Sequence, residues 1–345
     1  MQTSNTRIAG FENLISPKSV REAIPFLENS EETILKGRED LYKILNGEDN
    51  RFIIIAGPCS IHDQNVAMEY AEKLNALRNK YQDKLYVIMR IYFEKPRTID
   101  GWKGLIYDPF LNNTYDIGEG LKRARKILID VSNMGMPTAT EILDPITAAY
   151  VGQLASWVAI GARTTESQTH RQMTSGLSAP VGFKNSTDGN IEVAINAIKT
   201  AAKSHHFIGV DDDGNTSIVK TKGNPFGHIV LRGGGGKPNY HIEDIEICEE
   251  MLRNAGLPEN IIVDCSHDNS GKNFTKQKVV VRDIVAQKAY GNNSIKGIML
   301  ESNLFEGKQT IPSDIKELKY GISVTDSCVG WEETERILDL LYTSL

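Results

Sequence analysis

Short apolar runs recur along this chain, and a longer amphipathic stretch follows each one. Eight runs stand out, at 52–56, 85–90, 136–139, 157–160, 181–184, 228–231, 261–264 and 296–300. None alternates cleanly between apolar and polar residues, as expected of parallel strands covered on both faces. The intervening stretches have helical spacing. Val66, Tyr70, Leu74, Leu77 and Tyr81 share one face, with Asp63 placed as an N-cap. Leu121, Ala124, Leu128 and Val131 repeat the pattern, as do Ile191, Ile195, Ile198 and Ala202, then Ile245, Cys248, Leu252 and Ala255. Residues 279–289 and 332–341 supply two more helices. Eight strands alternating with helices predict a (β/α)8 TIM barrel, with a doubly wound open sheet as the alternative.

Two segments exceed a minimal barrel. Residues 1–50 form a mostly polar N-terminal extension with a helix around 33–45, and residues 51–345 hold the catalytic barrel. Residues 207–220 read as a β-hairpin about an Asp-Gly turn, inserted before strand six. Such additions serve as interface or regulatory elements, or simply as surface flaps.

Composition narrows the function classes. Of 345 residues, 40% are hydrophobic and 24% charged, as in a soluble globular protein, and no apolar run approaches a membrane span. A net charge of −6 argues against a nucleic-acid partner. The first residues lack the apolar run of a signal peptide, and four cysteines do not make a disulfide framework. A cytoplasmic, reducing location is expected.

The chemistry gathers where the predicted strands end, which is where barrels build active sites. The cations there are Arg90, Lys95, Arg97, Arg163, Lys184 and Arg232. Six cations at one mouth of an acidic protein must meet anions, and more than one small phosphate: two phosphates and a carboxylate fit the number. Gly233–Gly236 offers either backbone amides to a phosphate or a flexible loop. Cys59, His267 and Glu301 end other strands, and Asp326 lies in the segment after the last one. Barrel closure brings these together, and thiolate, imidazole and carboxylates make a divalent transition-metal site. His62, Asp264 and Cys265 lie beside these motifs without a clear role. Cys248 reads as packing, Cys328 as a neighbour of the metal site, and His205-His206 as a helix end.

These motifs resemble those of the 3-deoxy-D-arabino-heptulosonate-7-phosphate (DAHP) synthases of the microbial, aromatic-amino-acid-regulated type. The matching stretches are AGPCSIHD, MRIYFEKPRT, GWKGLIYDP, GARTTESQTHR, GFKNSTDG, VLRGG, VDCSHDNSGK, ESNLFEG and SVTDSCVGWE, from Ala56 to Glu332. The resemblance implies a metal-dependent transferase that condenses phosphoenolpyruvate with erythrose 4-phosphate, the first step of the shikimate pathway. It implies that Arg90, Arg163, Lys184 and Arg232, with Ala162, hold phosphoenolpyruvate. It assigns Arg97 and Thr98, with Lys95 and Pro96, to the aldose phosphate end. Cys59, His267, Glu301 and Asp326 match the ligands of Mn²⁺, Fe²⁺ or a similar ion. Lys95 is placed to protonate the developing alkoxide, and Glu141 and His267 are the candidates for activating water. The resemblance further implies dimers or tetramers, with the N-terminal arm reaching a neighbour. It also implies feedback inhibition by an aromatic amino acid beside Ser178 and Gly209. Glycine at that last position resembles tyrosine-inhibited members, since phenylalanine-inhibited ones carry serine. The rivals are another phosphoenolpyruvate-condensing synthase, a Schiff-base aldolase using Lys184, and a catalytically dead binding barrel.

Overall fold

Parallel pairing runs unbroken around eight strands in the computed structural model, which describes residues 4–345. The strands are β1 (Phe52–Gly57), β2 (Leu85–Arg90), β3 (Thr138–Glu141), β4 (Trp157–Ile160), β5 (Val181–Lys184), β8 (Gly227–Leu231), β9 (Ile261–Asp264) and β10 (Ile295–Glu301). Their closed order, β1-β10-β9-β8-β5-β4-β3-β2, excludes the open-sheet alternative. The third strand begins two residues later than the apolar run at 136 predicts, because Met136 and Pro137 lead into it.

Side chains alternate across a strand, so each strand has an inward and an outward set. The inward set packs as one apolar cluster with Ile53, Ile55, Ile88, Ala139, Trp157, Val230, Ile262 and Met299. The outward set joins the helices α3 (Gln64–Tyr81), α4 (Ile117–Asn133), α7 (Glu192–Ala201), α8 (Ile242–Asn254), α9 (Gln277–Ala289) and α10 (Trp331–Ser344) in a second, larger core. Asp63 caps α3 as expected, accepting from the Asn65 and Val66 amides.

The N-terminal extension has two parts. Its helix α2 (Ser30–Leu45) inserts Leu41 and Ile44 into the inward cluster and so stoppers one end of the barrel. Buried Arg38 fastens it there by donating to Ala155 O and Gln153 O. The shorter helix α1 (Pro17–Ala23) lies against the hairpin of β6 (His206–Val210) and β7 (Thr216–Lys220). The Lys18 amide donates to Asp212 O at 2.9 Å, and Arg21 pairs with the Asp212 carboxylate at 2.8 Å. Phe207 turns toward the core, whereas cross-strand neighbours Ile208 and Ile218 face outward, 79% and 72% exposed.

Candidate active site at the barrel mouth

Two residues beyond each apolar inward position, the next inward side chain lies at the barrel's C-terminal end. There the sequence changes from apolar to ionisable: Ile88 is followed by Arg90, Ala139 by Glu141, Val230 by Arg232, Ile262 by Asp264 and Met299 by Glu301. Period-two alternation thus aims Arg90, Glu141, Arg232 and Glu301 into one cavity of about 600 Å³, with Asp264 buried beneath it. All six predicted cations line it, as do Pro96, Thr98, Glu141, Ala162, His267, Glu301 and Asp326. Lys272 and Lys308 also reach it, raising the cations to eight against the five acids Asp100, Glu141, Asp268, Glu301 and Asp326.

The cations form two tiers. The deep ones are buried and already engaged. Arg90 pairs with Glu301 at 3.0 Å, Lys184 with Asp264 at 2.9 Å, and Arg232 with Asp268 at 3.0 Å. Arg90 also stacks over Tyr92, 3.6 Å from the ring centroid. Arg97 and Arg163 are exposed at the rim and make no ion pair among the described residues. Arg163 contacts Thr98 Oγ1 at 3.3 Å, linking the strand-four loop to the strand-two loop. Below that loop, buried Glu94 accepts from the Leu143 amide (3.1 Å), the Asp144 amide (3.3 Å) and Thr147 Oγ1 (2.9 Å). Burial pushes the Glu94 carboxyl up to about 7 against those three bonds.

Cys59, Glu301 and Asp326 offer ligand atoms that all lie within 4.8 Å of one another. Lys95 Nζ sits 3.0 Å from Cys59 Sγ and 3.9 Å from Asp326. Burial, then the nearby Glu301 and Asp326 carboxylates, push the Cys59 thiol up to about 11, although Lys95 and Arg90 pull the other way. Burial also raises Asp326, but Lys95 and His267 outweigh it and hold that carboxyl below its ordinary range. Three anion-forming groups crowded around one point make a natural seat for a divalent cation, and the donor set fits a transition ion better than Mg²⁺.

His267, the fourth predicted ligand, lines the cavity but stands outside this cluster. Its Nδ1 lies 2.7 Å from Ser266 Oγ and 3.0 Å from Asp264. A carboxylate only accepts, so Nδ1 carries a proton and Nε2 is the nitrogen left to face a metal.

Gly233–Gly236 is neither a phosphate cradle nor an open loop. Its four amides donate in turn to Asn239 Oδ1, Lys237 O, Thr187 O and, at 3.4 Å, Asp268 Oδ2. Glycine is needed there because Gly233, Gly235 and Gly236 have φ of 75°, 58° and 79°.

Ser178 and Gly209 lie away from this cavity. Tyr42 OH donates to Ser178 O, and the hairpin is tied to the preceding loop by Ser175 Oγ and Thr221 Oγ1 at 2.6 Å. A Cβ at Gly209 would stand 2.7 Å from Val219 Cγ2 on the facing strand. Cys248 and Cys265 are buried in the helical layer, and buried Cys328 lies near enough to Cys59 for the two thiols to perturb each other.

Sequence reasoning left Asp264 without a role and passed over Ser266, Asp268, Lys272 and Lys308. All but Lys308 stand inside the quoted stretch VDCSHDNSGK, whose density of polar residues just past a strand was the available signal. Lys308 follows ESNLFEG, and no local pattern points it inward.

Comparison with known proteins places this arrangement. The model of the DAHP synthetase I family matches residues 23–339. The Tyr-sensitive phospho-2-dehydro-3-deoxyheptonate aldolase of Escherichia coli is 48% identical over 342 residues, 99% of this chain and 96% of that one. The Trp-sensitive enzyme of the same organism is 49% identical over 344 residues, 100% of this chain and 98% of the other. The structure of phospho-2-dehydro-3-deoxyheptonate aldolase from Francisella tularensis superposes with a TM-score of 0.95 at 47% identity, covering 98% of each chain.

Proposed function

The chain belongs to the DAHP synthetase I family, and from that premise we propose that it condenses phosphoenolpyruvate with erythrose 4-phosphate and water into DAHP and phosphate, with a divalent transition metal such as Mn²⁺ or Fe²⁺. The observation that carries this reading is one cavity lined by eight cations, with a Cys59–Glu301–Asp326 cluster in its wall. Cys59, Glu301 and Asp326, joined by His267 through Nε2, are the residues that would hold the metal. When bound, that ion supplies Lewis-acid polarisation of the aldehyde oxygen.

The chain's own residues bring together two polyanions that otherwise repel. Arg90, Arg163, Lys184 and Arg232, with Ala162, hold phosphoenolpyruvate, and Arg97 and Thr98, beside Pro96, hold the sugar phosphate. The enol carbon then attacks the aldehyde carbon, forming the new C–C bond. Lys95, buried beside Cys59, delivers a proton to the resulting alkoxide. Water adds to the electron-poor carbon left on the phosphoenolpyruvate side, deprotonated by Glu141, since both ring nitrogens of His267 are engaged, and C–O cleavage expels phosphate. The buried Lys184–Asp264 pair supports an anion-holding role for Lys184 over a Schiff-base nucleophile.

The relatives include Tyr- and Trp-sensitive enzymes at nearly equal identity, so overall likeness does not choose an effector. Gly209 favours tyrosine, bound near Ser178 at the hairpin, and the exposed pair Ile208 and Ile218 favours a homodimer or homotetramer. Among the described residues no helix is long and apolar enough to cross a membrane, and a cytoplasmic location suits the reaction.

Phosphate release from phosphoenolpyruvate tests the reading. Release should require erythrose 4-phosphate, cease after chelation and return with Mn²⁺ or Fe²⁺. Full turnover by a preparation shown by elemental analysis to be metal-free would exclude the metal. Release without the aldose would exclude the condensation.

A further inference from the structure

Asp264 ends β9 with no solvent exposure, and its two oxygens accept three hydrogen bonds and meet a fourth polar group at ion-pair distance. Oδ1 takes the Ser266 amide at 3.0 Å and Ser266 Oγ at 2.6 Å. Oδ2 takes Lys184 Nζ at 2.9 Å and faces His267 Nδ1 at 3.0 Å. A single oxygen therefore joins a side chain assigned to phosphoenolpyruvate and one assigned to the metal. The turn is bent to achieve this: His267 has φ of 56°, a region that non-glycine residues rarely occupy. The Lys272 amide secures the turn by donating to His267 O at 2.7 Å, and Asn269 secures Asp264 O at 2.9 Å.

We propose that Asp264 is a positioning residue shared by the two sites, which couples metal affinity to phosphoenolpyruvate affinity. The inference rests on the functional reading above. Its physical basis is competition for one acceptor. A cation on His267 Nε2 makes the Nδ1 proton more acidic and draws the Oδ2 charge toward the imidazole. Lys184 is then held less tightly and presents more of its charge to the substrate anion. By linkage, phosphoenolpyruvate strengthens metal binding by the same factor. Asp268 provides the contrast: it lies in the same turn and pairs with Arg232, but makes no bond to the His267 ring.

The test measures Mn²⁺ affinity from the electron paramagnetic resonance signal of the free ion, with and without phosphoenolpyruvate. The wild type, Asp264→Asn and Asp268→Asn are compared. The wild type should bind Mn²⁺ roughly 5-fold or more tightly with phosphoenolpyruvate present. Asp264→Asn should bind Mn²⁺ about 10- to 100-fold more weakly and lose that enhancement. Asp268→Asn should weaken phosphoenolpyruvate binding but keep Mn²⁺ affinity within about twofold, since Asp264 still faces the His267 ring. Wild-type Mn²⁺ affinity and enhancement in Asp264→Asn would overturn the proposal. So would an equal Mn²⁺ loss in Asp268→Asn, which would trace the effect to general disruption of the turn. Should Asp264→Asn not fold, Ser266→Ala removes one bond to the same carboxylate together with the contact to His267 Nδ1; the enhancement by phosphoenolpyruvate should shrink there, and an unchanged enhancement overturns the proposal too. A wild type that binds neither ligand removes the functional reading itself, and the proposal with it.

Discussion

At the scale of single residues, the site depends on carboxylates that burial and neighbours drive in opposite directions. Asp264 is held ionised by Lys184 and His267 despite its burial, whereas Glu94 is pushed up to about 7. For Glu94 the sign follows from linkage. Its carboxyl binds a proton more tightly in the folded chain than at its ordinary value of 4.5, so the associated stability is complete below about 4.5 and is lost as pH rises through about 7. Glu94→Gln cannot ionise, so its stability relative to wild type should rise between pH 5 and 8, by at most about 3 kcal/mol. Urea midpoints of both proteins across that range check this, and parallel pH profiles would show that Glu94 does not titrate there. The same buried carboxylate braces the Lys95–Thr98 loop through Leu143 and Asp144, so the variant should also raise KM for erythrose 4-phosphate more than it lowers kcat.

At the scale of elements, the hairpin shows how a neighbour sets the meaning of a residue. Gly209 resembles the glycine of tyrosine-inhibited members, and Val219 Cγ2 stands beside it, 2.7 Å from where a Cβ would be. A serine at 209 must therefore move Val219, and any change of effector preference works through that shift. Titrating activity with tyrosine, phenylalanine and tryptophan should show tyrosine inhibiting best and Gly209→Ser shifting preference toward phenylalanine. An unchanged order in the variant would remove Gly209 as the selector. The barrel strands were legible because apolar runs covered on both faces have few other readings, and the six cations at four of their ends pointed to the mouth directly. The short helix α6 (Gln168–Thr174) was not legible, since QTHRQMT carries no apolar period. Nor was the packing of the glycine run, whose hydrogen-bond partners lie as far away as Asp268. Asp264 looked like one more strand end because its significance lies in Lys184, eighty residues away in the chain.

At the scale of the whole molecule, the two additions to the barrel play different parts. Helix α2 completes the core, while α1 and the hairpin clasp each other and leave Ile208 and Ile218 to solvent. An apolar cross-strand pair so exposed suits a subunit contact. Light scattering at micromolar concentration should show a dimer or larger species, and the double variant Ile208→Lys, Ile218→Lys should be smaller with an unchanged circular dichroism spectrum; identical masses would move the contact elsewhere. The two tiers of cations bear on how substrates arrive. The protein carries a net charge of −6, yet Arg97 and Arg163 at its mouth make no ion pair among the described residues, so the attractive field is local and faces outward. Mobile ions screen such a field over about 8 Å at physiological ionic strength, whereas the buried pairs beneath are largely shielded from them. Capture of the two phosphorylated substrates should therefore slow as salt is added, with kcat/KM falling steeply while kcat stays nearly level. Ionic strength would then set the enzyme's flux at low substrate through the rate of encounter and leave the bond-making steps untouched.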